Sequence, residues 1–266
     1  MVSTVTAVSW LKAESDHAIR WLTIDRPERK NAIPADGWPL LTEAFRDFEA
    51  SDDRVLIITG AGGEFCAGAD LDPSRLAGAI SVSEAHRRMK VVEAAATALH
   101  RITKPTIAAV DGVAVGAGMN LALGCDIVVA TDRARFSEIF VRRGLTVDFG
   151  GTWLLPRIVG LQRAKELALS GRIVGADEAL RIGLAMEVVA PDALTARVEE
   201  LARSFLGGAP LGQRFAKQGI DASFESSFAQ SLSWEGQSQA IAFGTEDSIE
   251  GVTAFLEKRD PEWKGK

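Results

Sequence analysis

The 266-residue chain holds only two cysteines, Cys66 and Cys125, and three histidines, His17, His86 and His100. Both cysteines lie inside apolar, glycine-rich runs, without metal-ligand spacing or a disulfide framework. They read as reduced core thiols of a cytoplasmic protein. The histidines do not cluster, which argues against a zinc site. No apolar run reaches the ~18 residues of a membrane span. Basic charge is not in excess either: the net charge is −6 and the isoelectric point about 5.3. That balance argues against a nucleic-acid binder held by bulk charge. The opening MVSTVTAVSW lacks a basic stretch and a long apolar core, so no secretory signal is expected. With 47% hydrophobic and 25% charged residues, the composition is that of an ordinary globular protein, one large domain or a domain with an appendage.

The most informative stretch is KPTIAAVDGVAVGAGMNLALGCDIVVA, from Lys104 to Ala130. The run Thr106 to Val110 suits a buried strand, the chain turns at Asp111-Gly112, and Met119 to Leu123 reads as the start of a buried helix. A second buried strand, Ile127 to Ala130, follows. Between them, Gly116-Ala117-Gly118 leaves backbone N–H groups that a ligand can approach. Upstream, Val55 to Thr59 is another buried strand, and it too empties into small residues, from Gly60 to Ala69. Taken singly, such glycines serve close packing equally well. Two of these turns on neighbouring strands supply converging donors, the geometry of an oxyanion hole for a carbonyl that becomes an enolate.

With FCAGADL at 65–71, KPTIAAVDGVAVGAG at 104–118 and CDIVVATDRARF at 125–136, the sequence resembles the crotonase (enoyl-CoA hydratase/isomerase) superfamily. GGTWLLPRIVG at 150–160 and EGVTAFLEKR at 250–259 extend the match to nearly the whole chain. The resemblance implies an α/β fold: a crotonase-like spiral core of repeated ββα units over 1–207, then a C-terminal helical region over 208–266 that forms a homotrimer or a dimer of trimers. It implies an acyl-CoA thioester substrate, with coenzyme A entering as part of that substrate and no metal or redox cofactor. The thioester oxygen is expected at the N–H groups of Ala67 and Ala117. Arg26, Arg29 and Ala32 on a basic loop, the stretch Ala67, Gly68, Ala69, Asp70 and Leu71, and Phe255 with Lys258 on the last helix are the expected contacts to CoA. For each arginine and for Lys258, a solvated surface residue is the alternative.

Hydratases of this family use two glutamates. The first position matches Asn120; the second, four residues beyond Phe136, matches Phe140. An amide and a phenyl ring cannot exchange protons near neutral pH. A carboxylate stands elsewhere: Asp148, before Gly150-Gly151 and the apolar run that follows, where ordinary hydratases have a small residue. An aspartate at this position resembles the catalytic one of dienoyl-CoA isomerases and of the phenylacetate-pathway isomerases, and also the nucleophile of 4-chlorobenzoyl-CoA dehalogenases. The alternative is helix capping. On a helix expected from about Glu84 to Arg101, Met89, Val92 and Glu93 are candidate pocket residues, Glu93 as a second acid/base.

Moving a double bond needs one group that takes a proton from C2 and returns it to C4, and one aspartate suffices. The favoured expectation is therefore an enoyl-CoA isomerase, closest to the phenylacetate-pathway type. Dehalogenation is disfavoured because Glu93 stands where a histidine would activate water. An enoyl-CoA hydratase is the second expectation, and a non-catalytic acyl-CoA binding protein the third.

Overall fold

The computed structural model of the chain describes residues 3–8, 10–71 and 80–266. In chain order the elements begin with β1 (Ser3–Val8), β2 (Leu11–Asp16), β3 (Ile19–Ile24), α1 (Gly37–Ala50), β4 (Val55–Gly60) and α2 (Val82–His100). They continue through β5 (Thr106–Val110), β6 (Val113–Val115), α3 (Ala117–Leu123), β7 (Ile127–Thr131) and β8 (Arg135–Ser137). Then follow α4 (Gly151–Val159), α5 (Leu161–Ser170), β9 (Val174–Gly175), α6 (Ala176–Ile182) and β10 (Glu187–Val189). Four helices close the chain: α7 (Leu194–Leu206), α8 (Pro210–Ala222), α9 (Phe228–Phe243) and α10 (Glu246–Glu257). The main sheet has seven strands in the order β1-β2-β3-β4-β5-β7-β10; β6, β8 and β9 form a second, small sheet. The first three strands pair antiparallel, and from β3 onward every pairing in the main sheet is parallel.

The continuous apolar strands have a simple cause. Side chains alternate across the sheet, and both of its faces are covered. Leu56, Ile58, Ala108 and Val110 face the larger core, where α1 contributes Trp38, Leu41, Phe45 and Phe48 at helical spacing. Val55, Ile57, Ile107, Ala109 and Val129 face a second core against Leu194, Val198 and Ala202 of α7. Burial of each such large side chain contributes about 1.5–3 kcal/mol.

The expected strands at 55–59, 106–110 and 127–130 are all present, as is the helix over 84–101; Ser81 caps α2 by accepting from the N–H of Glu84. The opening hairpin was not expected, nor were the two- and three-residue strands of the small sheet, where so few residues carry no readable period. The polar stretch after Leu71 lies largely in 72–79, outside the described residues.

Candidate active site

Two loops are held together by backbone contact. The Cys66 N–H donates to Val113 O (2.8 Å) and the Val115 N–H to Cys66 O (3.0 Å), so the segment after β4 runs alongside β6. Gly118 is required here: a Cβ on it would lie 2.2 Å from the Cys66 carbonyl oxygen. Gly68 has φ +88°, and its Cβ position is 2.7 Å from Val115 O and 3.4 Å from the Ala117 nitrogen. The two turns anticipated from the sequence thus meet.

Their donors differ in part from expectation. The N–H of Ala67 is already committed to Lys30 O at 3.0 Å, so Ala67 cannot serve an oxyanion. Flanking bonds, Ile33 N–H to Gly68 O and Asp70 N–H to Ile33 O, both at 2.8 Å, turn the intervening Ala69 N–H the other way. Among the described residues, Ala69 N–H meets no acceptor, and Ala117, the first residue of α3, has none within its helix. Ala69 and Ala117 thus each keep a backbone N–H without an acceptor among the described residues. Cys66 is wholly buried and its thiol is pushed up to about 12 by that burial, which leaves it inert.

Asp148 lies in the loop ahead of α4, where Phe149 and Gly150 both take positive φ (49° and 82°). Its carboxylate does not cap the helix: Gly150 occupies the cap and no side chain bonds the first turn. One carboxylate oxygen, Oδ1, is buried with no hydrogen-bond partner, and burial raises the group to about 6. The Phe149 ring packs on Trp38 with centroids 5.8 Å apart, which fixes the loop against the larger core. Asn120, wholly buried on α3, donates from Nδ2 to the Asp148 carbonyl at 2.9 Å. Phe140 is buried with its ring edge 3.5 Å from where a Gly116 side chain would start. Both hydratase positions are therefore filled by groups that hold structure.

Glu138 was missed by sequence reasoning. It is fully buried, its Oε2 accepts from Asn120 Nδ2 at 3.4 Å, and its Oε1 has no partner. Burial raises it to about 7, and the charge of Asp148 adds to the rise. The signal available was a lone acid inside the apolar run Phe136-Ser137-Glu138-Ile139-Phe140.

Glu93 is not gathered into this site. It is half exposed and paired with Lys90 at 2.7 Å, which holds its carboxyl below the usual range; it lines a groove between α1 and α2. Val92 is buried in the larger core and Met89 packs partly buried against it. Next to Ala69, Asp70 joins the two arginines: Arg26 Nη2 reaches it at 3.0 Å and Arg29 Nη2 at 2.5 Å, and these contacts, Arg29 first, hold its carboxyl below the ordinary value. Arg26 also donates to Ala32 O (2.6 Å), and Asn31 braces the turn by donating to Ala61 O and Glu64 O. Leu71 is exposed beside Asp70. Phe255 on α10 and Lys258 just beyond it are exposed, and no hydrogen bond or ion pair among the described residues joins them to the arginine loop.

Comparison with known proteins shows the family. Residues 14–266 match the family Enoyl-CoA hydratase/isomerase. The chain is 37% identical to the 1,2-epoxyphenylacetyl-CoA isomerase of Escherichia coli K12, over 97% of this chain and 100% of that protein. It is 36% identical to the short-chain-enoyl-CoA hydratase of Clostridium acetobutylicum, over 92% and 94% of the two chains. A crystal structure of an enoyl-CoA hydratase/isomerase from Cupriavidus metallidurans CH34 superposes with TM-score 0.90 at 36% identity, covering 98% of each chain. The chain belongs to the enoyl-CoA hydratase/isomerase family and has the crotonase fold.

Proposed function

We propose that this enzyme moves the double bond of an enoyl-CoA thioester, with Asp148 as the group that carries the proton. The observation that supports it most is the state of Asp148: an acid with an unpartnered buried oxygen and a proton affinity near neutrality, while Asn120 and Phe140 hold the two positions that hydratases fill with glutamates. The identity to an isomerase supports it too, whereas relatives named hydratases keep hydration as the competing reading.

In this reading the thioester oxygen accepts from the N–H groups of Ala69 and Ala117. Ionised Asp148 takes a proton from C2 of a 3-enoyl thioester, the electron pair moves into a dienolate, and the oxyanion is held by those two donors. Protonated Asp148 then returns the proton to C4, giving the 2-enoyl product with no change of mass and no cofactor consumed. A positioned acid/base of this kind contributes about 10²–10⁴ in rate. Arg26 and Arg29, gathered by Asp70, would receive the CoA phosphates, and Lys258 with Phe255 the adenylate end. Exposed apolar side chains on α9 and α10, among them Phe228, Phe243, Ile249 and Phe255, support assembly against other subunits as a homotrimer or a dimer of trimers.

The test is incubation of wild type and Asp148→Asn with a 3-enoyl-CoA and a 2-enoyl-CoA, followed by mass and absorbance. Isomerisation of the 3-enoyl substrate, lost in the variant, is expected. Gain of one water on the 2-enoyl substrate would instead make the enzyme a hydratase. Binding without turnover of either would leave an acyl-CoA binding protein.

A further inference from the structure

Two acids are buried almost completely among the described residues, Asp247 and Glu138. Asp247 is compensated: its carboxylate accepts from the N–H groups of Lys264 (2.7 Å) and Gly265 (2.9 Å). Glu138 is not. It has one long bond, 3.4 Å from Asn120 Nδ2, a second oxygen with no partner, and no ion pair. An isolated carboxylate in such a place is strongly disfavoured, so the group holds its proton instead.

The amide it touches has a second task. Asn120 Nδ2 carries two hydrogens, one directed to Glu138 and one to the Asp148 carbonyl at 2.9 Å. The acceptor oxygen of the same amide, Oδ1, is buried and has no partner. Asn120 cannot turn to meet a change at Glu138 without releasing the backbone of Asp148. Gly151, whose Cβ would lie 2.4 Å from Asn120 Nδ2, leaves the amide only the space it occupies.

We infer that Glu138 is a positioning residue for Asp148: held as a neutral acid, it fixes the Asn120 amide, which fixes the loop carrying Asp148, so that its ionisation changes how Asp148 holds and returns a proton. Glu138 is fully enclosed and does not touch substrate. Of the titratable groups around the pair, only Asp148, on the loop before α4, acts on Glu138, and burial alone raises Asp148. Both acids are raised, Asp148 to about 6 and Glu138 to about 7, and the charge of Asp148 contributes to the rise at Glu138. When both are ionised, the Glu138 charge sits on the amide that holds the Asp148 backbone carbonyl, and it opposes the charge of Asp148. Asp148 then gives back its proton to C4 less readily, and turnover falls. The catalytic part rests on the isomerase reading; the linked titration does not.

The experiment has two arms. In the first, kcat is measured against pH for wild type, Glu138→Gln and Glu138→Leu. Wild type is expected to rise through about 6 and fall above about 7. The isosteric Glu138→Gln, which cannot ionise, should lose the falling limb and keep the rising one. Glu138→Leu, with no bond to Asn120, should lose roughly tenfold in kcat with KM changed less than twofold. In the second arm, carboxyl C=O bands are titrated by infrared difference spectroscopy on substrate-free protein. Wild type should show two linked steps and Glu138→Gln one. In Asp148→Asn the Glu138 step should move to lower pH, because the charge opposing its ionisation is gone. A falling limb that survives in Glu138→Gln, or a Glu138 step unmoved in Asp148→Asn, overturns the inference. If wild type turns over no enoyl-CoA, the isomerase reading fails, and the infrared arm decides the linkage by itself.

Discussion

Asn120 Nδ2 lies 2.9 Å from the carbonyl oxygen of Asp148 and 2.4 Å from where a Gly151 side chain would begin. The amide is thus wedged between the loop it holds and the helix start that confines it. A methyl at 151 must push a short, bonded, buried side chain aside. Gly151→Ala is expected to lower stability by about 1–3 kcal/mol and to lower kcat with it. In an Asn120→Ala background the obstacle is gone, so the same methyl should be nearly neutral. A double-mutant cycle in urea denaturation and in kcat reads that coupling, and additive effects would contradict it.

Gly118 and Ala69 both bear on the proposed oxyanion donors. A Cβ at 118 would meet the Cys66 carbonyl at 2.2 Å, and both partners there are backbone, which cannot rotate away. Gly118→Ala should therefore part the two loops and separate the Ala69 and Ala117 N–H groups. We expect kcat to fall by about 10²–10³, the usual effect of losing one such donor, with little change in binding of free CoA. Ala69→Pro removes one donor outright and should match that loss. Retention of kcat in Ala69→Pro would assign the oxygen to other donors.

Much of this site was legible in the sequence because backbone necessity shows as residue type. Gly116-Ala117-Gly118 and Gly68 stand where two loops touch, and only small residues allow it. Asp148 stood out as an acid before a glycine pair. What failed was information that resides in register. Ala67 and Ala69 look alike in sequence; which N–H is free is decided by pairing with Lys30 and Ile33, residues more than thirty positions away. Glu93 looked eligible because α2 buries only Val92, Ala95 and Leu99, a stripe too thin to orient the helix by inspection. Glu138 follows a three-residue strand, too short to reveal which way its side chain points.

Asp70 anchors both arginines at 3.0 and 2.5 Å, so they are preset as a pair. If they receive the phosphates of CoA, their loss is felt only by substrates that carry phosphates. Arg26→Ala and Arg29→Ala should each raise KM for an enoyl-CoA roughly tenfold, the fold-change of one charge-assisted contact, and kcat should hold. With an N-acetylcysteamine thioester, which ends before the nucleotide, neither variant should differ from wild type. Equal losses on both substrates would make the arginines structural. Asp70→Asn tests the same geometry, since a neutral amide loosens the pair and should raise KM for the CoA ester alone.

The two raised carboxyls also make a prediction for folding that needs no substrate. Burial raises Asp148 to about 6 and Glu138 to about 7, above the values such groups have in an unfolded chain. Between roughly pH 4 and 7 the folded protein then binds more protons than the unfolded one. Stability contributed by the neutral forms is full below the unfolded values and is lost as pH rises through the folded ones. Replacing either acid by its amide removes that loss. Glu138→Gln and Asp148→Asn should match wild type near pH 4 and exceed it near pH 8, by on the order of 1–3 kcal/mol. Urea denaturation at those two pH values measures the difference. Glu138→Gln is the sharper case, because a buried amide can still accept from Asn120 without carrying charge. A variant less stable than wild type near pH 8 would mean that Glu138 is ionised in the native protein and compensated there, which its single 3.4 Å bond to Asn120 gives no means to achieve.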